Sequence, residues 1–292
     1  MLRYTAPLRN SFGLSEVLED VPNALRSIAA VIPIQHVYAP TAFPSSIERV
    51  APTANALVTK LTSFGLLGAE EIDALGSFAR YAKPLRSEQI LVHEGSPSNS
   101  IFLIVSGLAY RYKMLAGGRR QILGYLIPGD LCDIHFAIAN RPDHSVALAG
   151  DSSVARIPTW KVSEVMARYP KISRALTLSA LIDAVILREW LLSVGQRDAL
   201  QKLCHFFCEM GDRLKAIGEV NADGSFELPV NQVTLADTLG LTPVHINRTL
   251  QRLRNDGLIK LCHRRLAIFD RDRLAAIAGF DGAYLRLGLV SG

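Results

Sequence analysis

The sequence predicts an α+β protein in which an all-β roll, one long helix, and a small helical domain ending in a hairpin follow one another. Three observations predict it. Between Gln89 and Pro158 short apolar runs alternate with turn residues, from Pro170 to Gly195 apolar residues persist at helical spacing, and from Leu228 to Asp270 two capped helices precede an alternating hairpin. At 292 residues the chain exceeds one ordinary domain, and 49% apolar with 20% charged residues is a globular composition. Wholesale disorder and a fibrous repeat are excluded.

Residues 1–55 read as an extension of mixed order, because Pro7, Pro22, Pro33, Pro40, Pro44 and Pro52 break up every apolar segment. Glu16, Glu19 and Asp20 precede the apolar run Ile28 to Ile34, the reverse of a basic-then-apolar secretion signal. No run reaches the ~18 apolar residues of a membrane-spanning helix, since Asp183 interrupts Ala175 to Leu187. A cytoplasmic protein with no membrane partner is expected.

Residues 56–168 are expected to form the roll domain. Leu61, Phe64, Leu67, Ile72 and Leu75 belong to short amphipathic helices that cap it. The strands then fall around Ile90, Ile101 to Val105, Leu108 to Tyr112, Gln121 to Ile127, Val146 to Leu148 and Val154 to Ile157, punctuated by Gly95, Gly107, Gly117, Gly118, Gly129 and Gly150. Residues 169–195 make the long helix. Its apolar residues, among them Leu178, Ile182 and Val185, lie on more than one stripe, so two covers are needed: the roll, and most simply a second copy of the same helix. A homodimer follows.

Residues 196–292 complete the chain, and Leu228 to Asp270 is its most specific stretch. Asn231 caps a helix with apolar face Leu235, Ala236 and Leu239, which Gly240 ends in the left-handed conformation. Thr242 caps the next helix and Pro243 takes its first position, where a missing N–H costs nothing. Ile246, Leu250 and Leu253 must face inward, turning Val244, His245, Asn247, Arg248, Gln251 and Arg252 outward or to the flanks. That is a helix-turn-helix, and the alternating Leu258 to Leu261 and Leu266 to Phe269 add a two-stranded wing. Thr242 to Arg265 holds six basic residues against one acidic, which equals the net +5 of the whole chain. Lys and Arg there would neutralise phosphates of double-stranded DNA, and Arg248 could pair bidentately with guanine.

The stretch Leu235 to Ile259 resembles the winged helix-turn-helix of the Crp/Fnr family of bacterial transcription regulators. Gly95, Ile101 to Gly107, Leu126-Ile-Pro-Gly-Asp130 and Leu187-Arg-Glu-Trp-Leu191 match in order, so the likeness spans about Leu61 to Leu285. It implies a double-stranded β-helix of the jelly-roll, cyclic-nucleotide-binding-like type that senses an effector. It further implies a dimerisation helix, a DNA-reading domain on a palindromic operator, and RNA polymerase as a partner. Carried over, the base-reading positions are Pro243, Val244 and Arg248, with Asn231 and Gln232 on backbone phosphate. Val244 stands where well-known members have a glutamate; valine cannot accept a hydrogen bond from cytosine, so the operator half-site should differ, with His245 taking part.

The family's cyclic-nucleotide cassette corresponds to Gly129, Asp130, Leu131 and Cys132, followed by Arg141, His144 and Ser145. His144 fills the phosphate-arginine position, and an unperturbed histidine is mostly neutral at pH 7; Asp133 and Asp143 lie nearby. Cyclic nucleotide is thereby disfavoured, with Arg141 left as a substitute cation. Residues 1–131 contain no cysteine, too few ligands for the family's iron-sulfur cluster. Cys132, His135 and His144 are weighed as haem or metal ligands and read instead as a buried thiol and two hydrogen-bonded imidazoles. No cofactor is required and no metal site is assigned. A ligand-free scaffold roll is the alternative; an enzyme on the roll finds neither an H-x-H pair nor a nucleophile beside a base.

Overall fold

Asn55 opens the first helix by accepting a hydrogen bond from the Leu57 N–H, and helix α1 (Ala56–Thr62) buries Leu57, Val58 and Leu61. The structure, a computed structural model, describes residues 55–132, 134 and 141–286, all within the unit Glu48–Gly292. The expected extension at 1–55, apart from Asn55, and Asp133 and His135 lie outside the described residues. Helix α2 (Ala69–Gly76) and a 3-10 turn (Ser77–Tyr81) complete the cap.

The roll is built from β1 (Ala82–Leu85), β2 (Ile90–Val92), β3 (Ser100–Ser106), β4 (Ala109–Met114), β5 (Arg120–Leu126), β6 (Ser145–Leu148) and β7 (Ser152–Pro158). They form a three-stranded sheet in the order β1-β7-β3 and a four-stranded sheet in the order β2-β6-β4-β5, each antiparallel. The sequence reading lacked β1. Pro84 lies in it, which argues against a central strand but is tolerated here because β1 is an edge. Val92, Ile104, Leu126, Cys132, Val146, Leu148 and Val154 form one buried cluster in the roll; a larger one runs from α1 through the roll into the C-terminal domain.

Helix α3 (Thr159–Arg168), also missing from the sequence reading, leads into α4 (Pro170–Gln196), the expected long helix. Ile172, Ala175, Leu176, Ile182, Ile186 and Trp190 face the chain's own core, while Leu181, Leu187, Leu191, Leu192 and Val194 are exposed. Here one expected dimer contact is corrected. Ile182 is only 7% exposed and packs inward; Leu178 and Val185 are intermediate. Helical phase explains the shift, because the unpartnered apolar stripe lies on the other side.

Helix α5 (Ala199–Ala216) begins at a capping box between Asp198 and Gln201. Strand β8 (Ser225–Glu227) precedes α6 (Gln232–Leu239) and α7 (Pro243–Asn255), then β9 (Ile259–Cys262) and β10 (Arg265–Ile268), with α8 (Arg271–Ala278) and a 3-10 turn (Gly282–Arg286) closing the domain. The wing therefore has three strands, in the order β8-β10-β9, rather than two. Its turn lies at His263 and Arg264, both with positive φ (48° and 63°). That two-residue hairpin normally uses Asn or Gly.

Candidate nucleic-acid interface and effector cavity

Asn231 accepts a hydrogen bond from the Thr234 N–H at 2.8 Å, capping α6, and Gly240 at φ 63°, ψ 39° ends it. Thr242 accepts from the His245 N–H at 3.3 Å and Pro243 occupies the first turn, so α7 starts immediately. Ile246, Leu250 and Leu253 are buried. Asn231, Gln232, Thr242, Pro243, Val244, His245, Asn247, Arg248 and Arg252 are all exposed. Thr242 Oγ1 and His245 Nδ1 lie 3.3 Å apart, and Arg252 is 4.0 Å from Asp256 across one turn. Arg254, counted with the basic face, instead donates to the Leu261 carbonyl at 3.2 Å and ties α7 to the wing. What this surface offers a ligand is Arg248 and Arg252 on a helix, with Lys260, Arg264 and Arg265 exposed on the wing.

A cavity of about 300 Å³ lies where the roll, α1 and α4 meet. Of the seven residues expected there, Gly129, Asp130, Leu131 and His144 line it. Cys132, Arg141 and Ser145 do not. Cys132 belongs to the roll's own core, Arg141 is exposed to solvent, and Ser145 Oγ accepts from the Glu94 N–H at 3.0 Å. The cation that reaches the cavity from a strand is Arg111 on β4, held 3.1 Å from Asp183 of α4. Nothing in the sequence of β4, Ala-Tyr-Arg-Tyr-Lys-Met, distinguishes this arginine from the neighbouring Lys113. His144 Nδ1 lies 2.9 Å from Asp143 Oδ1. Among the described residues no group of three or more His, Cys, Asp or Glu could hold a metal.

Asp130 lines the cavity, but its carboxylate is committed. Oδ1 accepts from Lys60 at 2.6 Å, and Oδ2 accepts from the Ile127 N–H and from Arg213, each at 2.9 Å. Burial alone would push this carboxyl up, yet Lys60 and Arg213 together hold it below its ordinary range. Gly129 is equally structural: at φ 87°, a Cβ would lie 2.6 Å from the Ala56 carbonyl carbon. Gly129 and Asp130 of the expected cassette thus join the roll to α1 and α5.

Arg213 also sits 3.7 Å from Glu209, a fully buried carboxylate that accepts from Trp190 Nε1 at 3.1 Å and from the Tyr284 hydroxyl at 2.8 Å. Burial pushes Glu209 up, against Arg213 and these donors. Separately, Arg120 of β5 donates to Asp237 of α6 at 2.9 Å. Tyr125 meets Thr238 Oγ1 at 2.8 Å; because that hydroxyl donates to the Thr234 carbonyl, the tyrosine is the donor. The roll, the long helix and the first helix of the helix-turn-helix are therefore joined by buried and part-buried polar contacts.

Two domain families match the chain in tandem, a cyclic nucleotide-binding domain over residues 82–169 and a Crp-like helix-turn-helix domain over residues 201–277. The transcriptional activatory protein AadR of Rhodopseudomonas palustris is 28% identical over 209 residues, covering 72% of this chain and 84% of that protein. The nitrogen fixation regulation protein FixK of Bradyrhizobium diazoefficiens is 27% identical over 192 residues, covering 66% and 79%. Among solved structures, FixK2 from Bradyrhizobium japonicum superposes with a TM-score of 0.60 at 22% identity, over 68% of this chain and 98% of that one, a likeness of fold. With both domains in the same order as the roll and the basic helix-turn-helix, the chain belongs to the Crp/Fnr family of transcription regulators.

Proposed function

We propose that this chain is a homodimeric, non-enzymatic regulator that reads a palindromic operator with Arg248 and its neighbours and answers to an effector at the roll. The observation that carries the reading is α7: its apolar residues are buried while Pro243, Val244, His245, Asn247, Arg248 and Arg252 stand exposed beside a basic wing. Arg248 would read a guanine, Val244 at most a thymine methyl, and Asn231 and Gln232 would hold backbone phosphate. The exposed stripe Leu181, Leu191 and Val194 on α4 supports pairing of two copies, which places two α7 helices on two half-sites. The chain divides into roll (56–168), dimer helix (169–195) and DNA-reading domain (196–292). Activator names among the relatives support RNA polymerase as a partner, and a cytoplasmic address suits all of this.

Among the described residues the effector cavity is balanced in formal charge, with Lys60, Arg111 and Arg213 against Asp130, Asp143 and Asp183. A phosphodiester would meet as many carboxylates as cations, so cyclic nucleotide is a poor fit and an uncharged effector a better one. Selection of bound fragments from a randomised duplex library at low salt tests the central reading. A two-fold symmetric consensus is expected. Recovery of no enriched sequence at any salt concentration would remove it.

A further inference from the structure

A second cavity, of about 640 Å³, adjoins the roll pocket, sharing Lys60, Asp130, Asp183, Ile186 and Arg213 with it, and lies between α1, the end of β5, α4, α5 and the C-terminal turn. Its volume is that of a small-molecule site, and domain junctions are where such sites concentrate. Its apolar walls are Phe64, Ile127, Ile182, Ile186, Ile217 and Leu285, from five different parts of the chain. The charged groups around it do not balance one another. Asp212 is held bidentately by Arg271 at 2.9 and 2.6 Å, Asp130 by Lys60 and Arg213, and Asp183 by Arg111. Each of these acids has its cation, whereas Lys215, exposed at the cavity's edge, has no carboxylate within 4.0 Å among the described residues.

We propose that this cavity binds a small apolar monocarboxylate, with the carboxylate on Lys215 and the body against the isoleucine wall. A ligand held there touches the roll through Ile127, the long helix through Ile182 and Ile186, and the DNA-reading domain through Ile217 and Leu285. It favours whichever arrangement of these parts closes the walls on it, by as much as its affinities for the two arrangements differ. An uncharged isostere would gain the same apolar burial but leave Lys215 without its partner. A dianion would exceed the single uncommitted cation among the described residues of the lining.

The test is calorimetric titration of the full chain with decanoate, below the concentration at which it forms micelles, and with 1-decanol as the neutral control. Saturable uptake of one decanoate per chain is expected, weakened about threefold by Lys215→Gln and weakened also by Ile217→Trp, whose larger side chain narrows the space. Decanol should bind the parent and Lys215→Gln equally. Leu123→Trp, whose residue lines the roll cavity and not this one, should leave decanoate binding unchanged. Absence of saturable uptake, or equal decanoate affinity in the parent and Lys215→Gln, would overturn the proposal and leave the operator reading intact. Loss of binding in Leu123→Trp with no change in Lys215→Gln would also overturn it, by moving the ligand into the roll.

Discussion

Arg248 sits in the second turn of α7, exposed, with Ile246 and Leu250 beneath it buried. Replacing it with alanine should cost operator binding about 1–3 kcal/mol and relax preference at one base position. Binding curves across single-base operator variants read this directly, and identical curves for mutant and parent would refute the assignment. His205 makes a different prediction. It is buried, with Nε2 lacking a hydrogen-bond partner and Glu189 3.7 Å away, itself held by Arg197 at 3.1 Å. Burial, then the charge of Arg197, pushes its pKa down to about 4. The folded state thus resists a proton that the unfolded chain takes up near pH 6.5. Stability from this group is complete above that value and is lost as pH falls toward 4. His205→Phe, which keeps the packing against Phe280, should flatten the urea midpoint between pH 7 and 5. A parent midpoint already flat over that window would contradict it.

At the scale of elements, α4 has two apolar sides with different fates. One faces the core through Ile182, Ile186 and Trp190; the other leaves Leu191 at 73% exposure. Leu191→Glu should therefore separate the dimer without unfolding the protomer, seen as halved mass in sedimentation with unchanged helical circular dichroism. A dimer that survived it would place the interface elsewhere. Ile182→Glu would instead put a charge into the protomer's own core and unfold it. Both residue sets were legible in the sequence as apolar, but their assignment to inside or outside was not, since helical phase relative to the roll is set by packing. The wing's third strand escaped for a related reason: β8 is only three residues long, and nothing in Ser225–Glu227 marks it until β10 pairs with it.

At the scale of the molecule, the roll is docked on the helix-turn-helix by Arg120 with Asp237 and by Tyr125 with Thr238, about 113 to 117 residues apart in sequence. Arg120→Glu sets like charges face to face and should raise hydrogen exchange of the α6 amides severalfold, while adding Asp237→Arg should restore protection. Unchanged exchange in the single variant would show that the apolar contacts alone hold the docking. Glu209 is the deeper node. Glu209→Ala strands the Trp190 N–H and the Tyr284 hydroxyl, leaves Arg213 to Asp130 and the Tyr125 carbonyl, and should cost about 3 kcal/mol in urea unfolding. A loss no larger than a surface substitution gives would mean that these donors find water.

The sequence by itself determined the order of roll, long helix and helix-turn-helix, the caps Asn231 and Thr242, the turn glycine, and the exposed basic face of α7. These rest on spacing within one element, and local geometry follows from local residue types. Only the tertiary structure decided that Asp130 and Gly129 serve the junction with α1 and α5, and that Arg111 rather than Arg141 reaches the cavity. It alone assigned Ile182 to the core. Each of those outcomes depends on partners far along the chain, and pairing across such distances is governed by how faces pack and where buried charge finds its counter-charge.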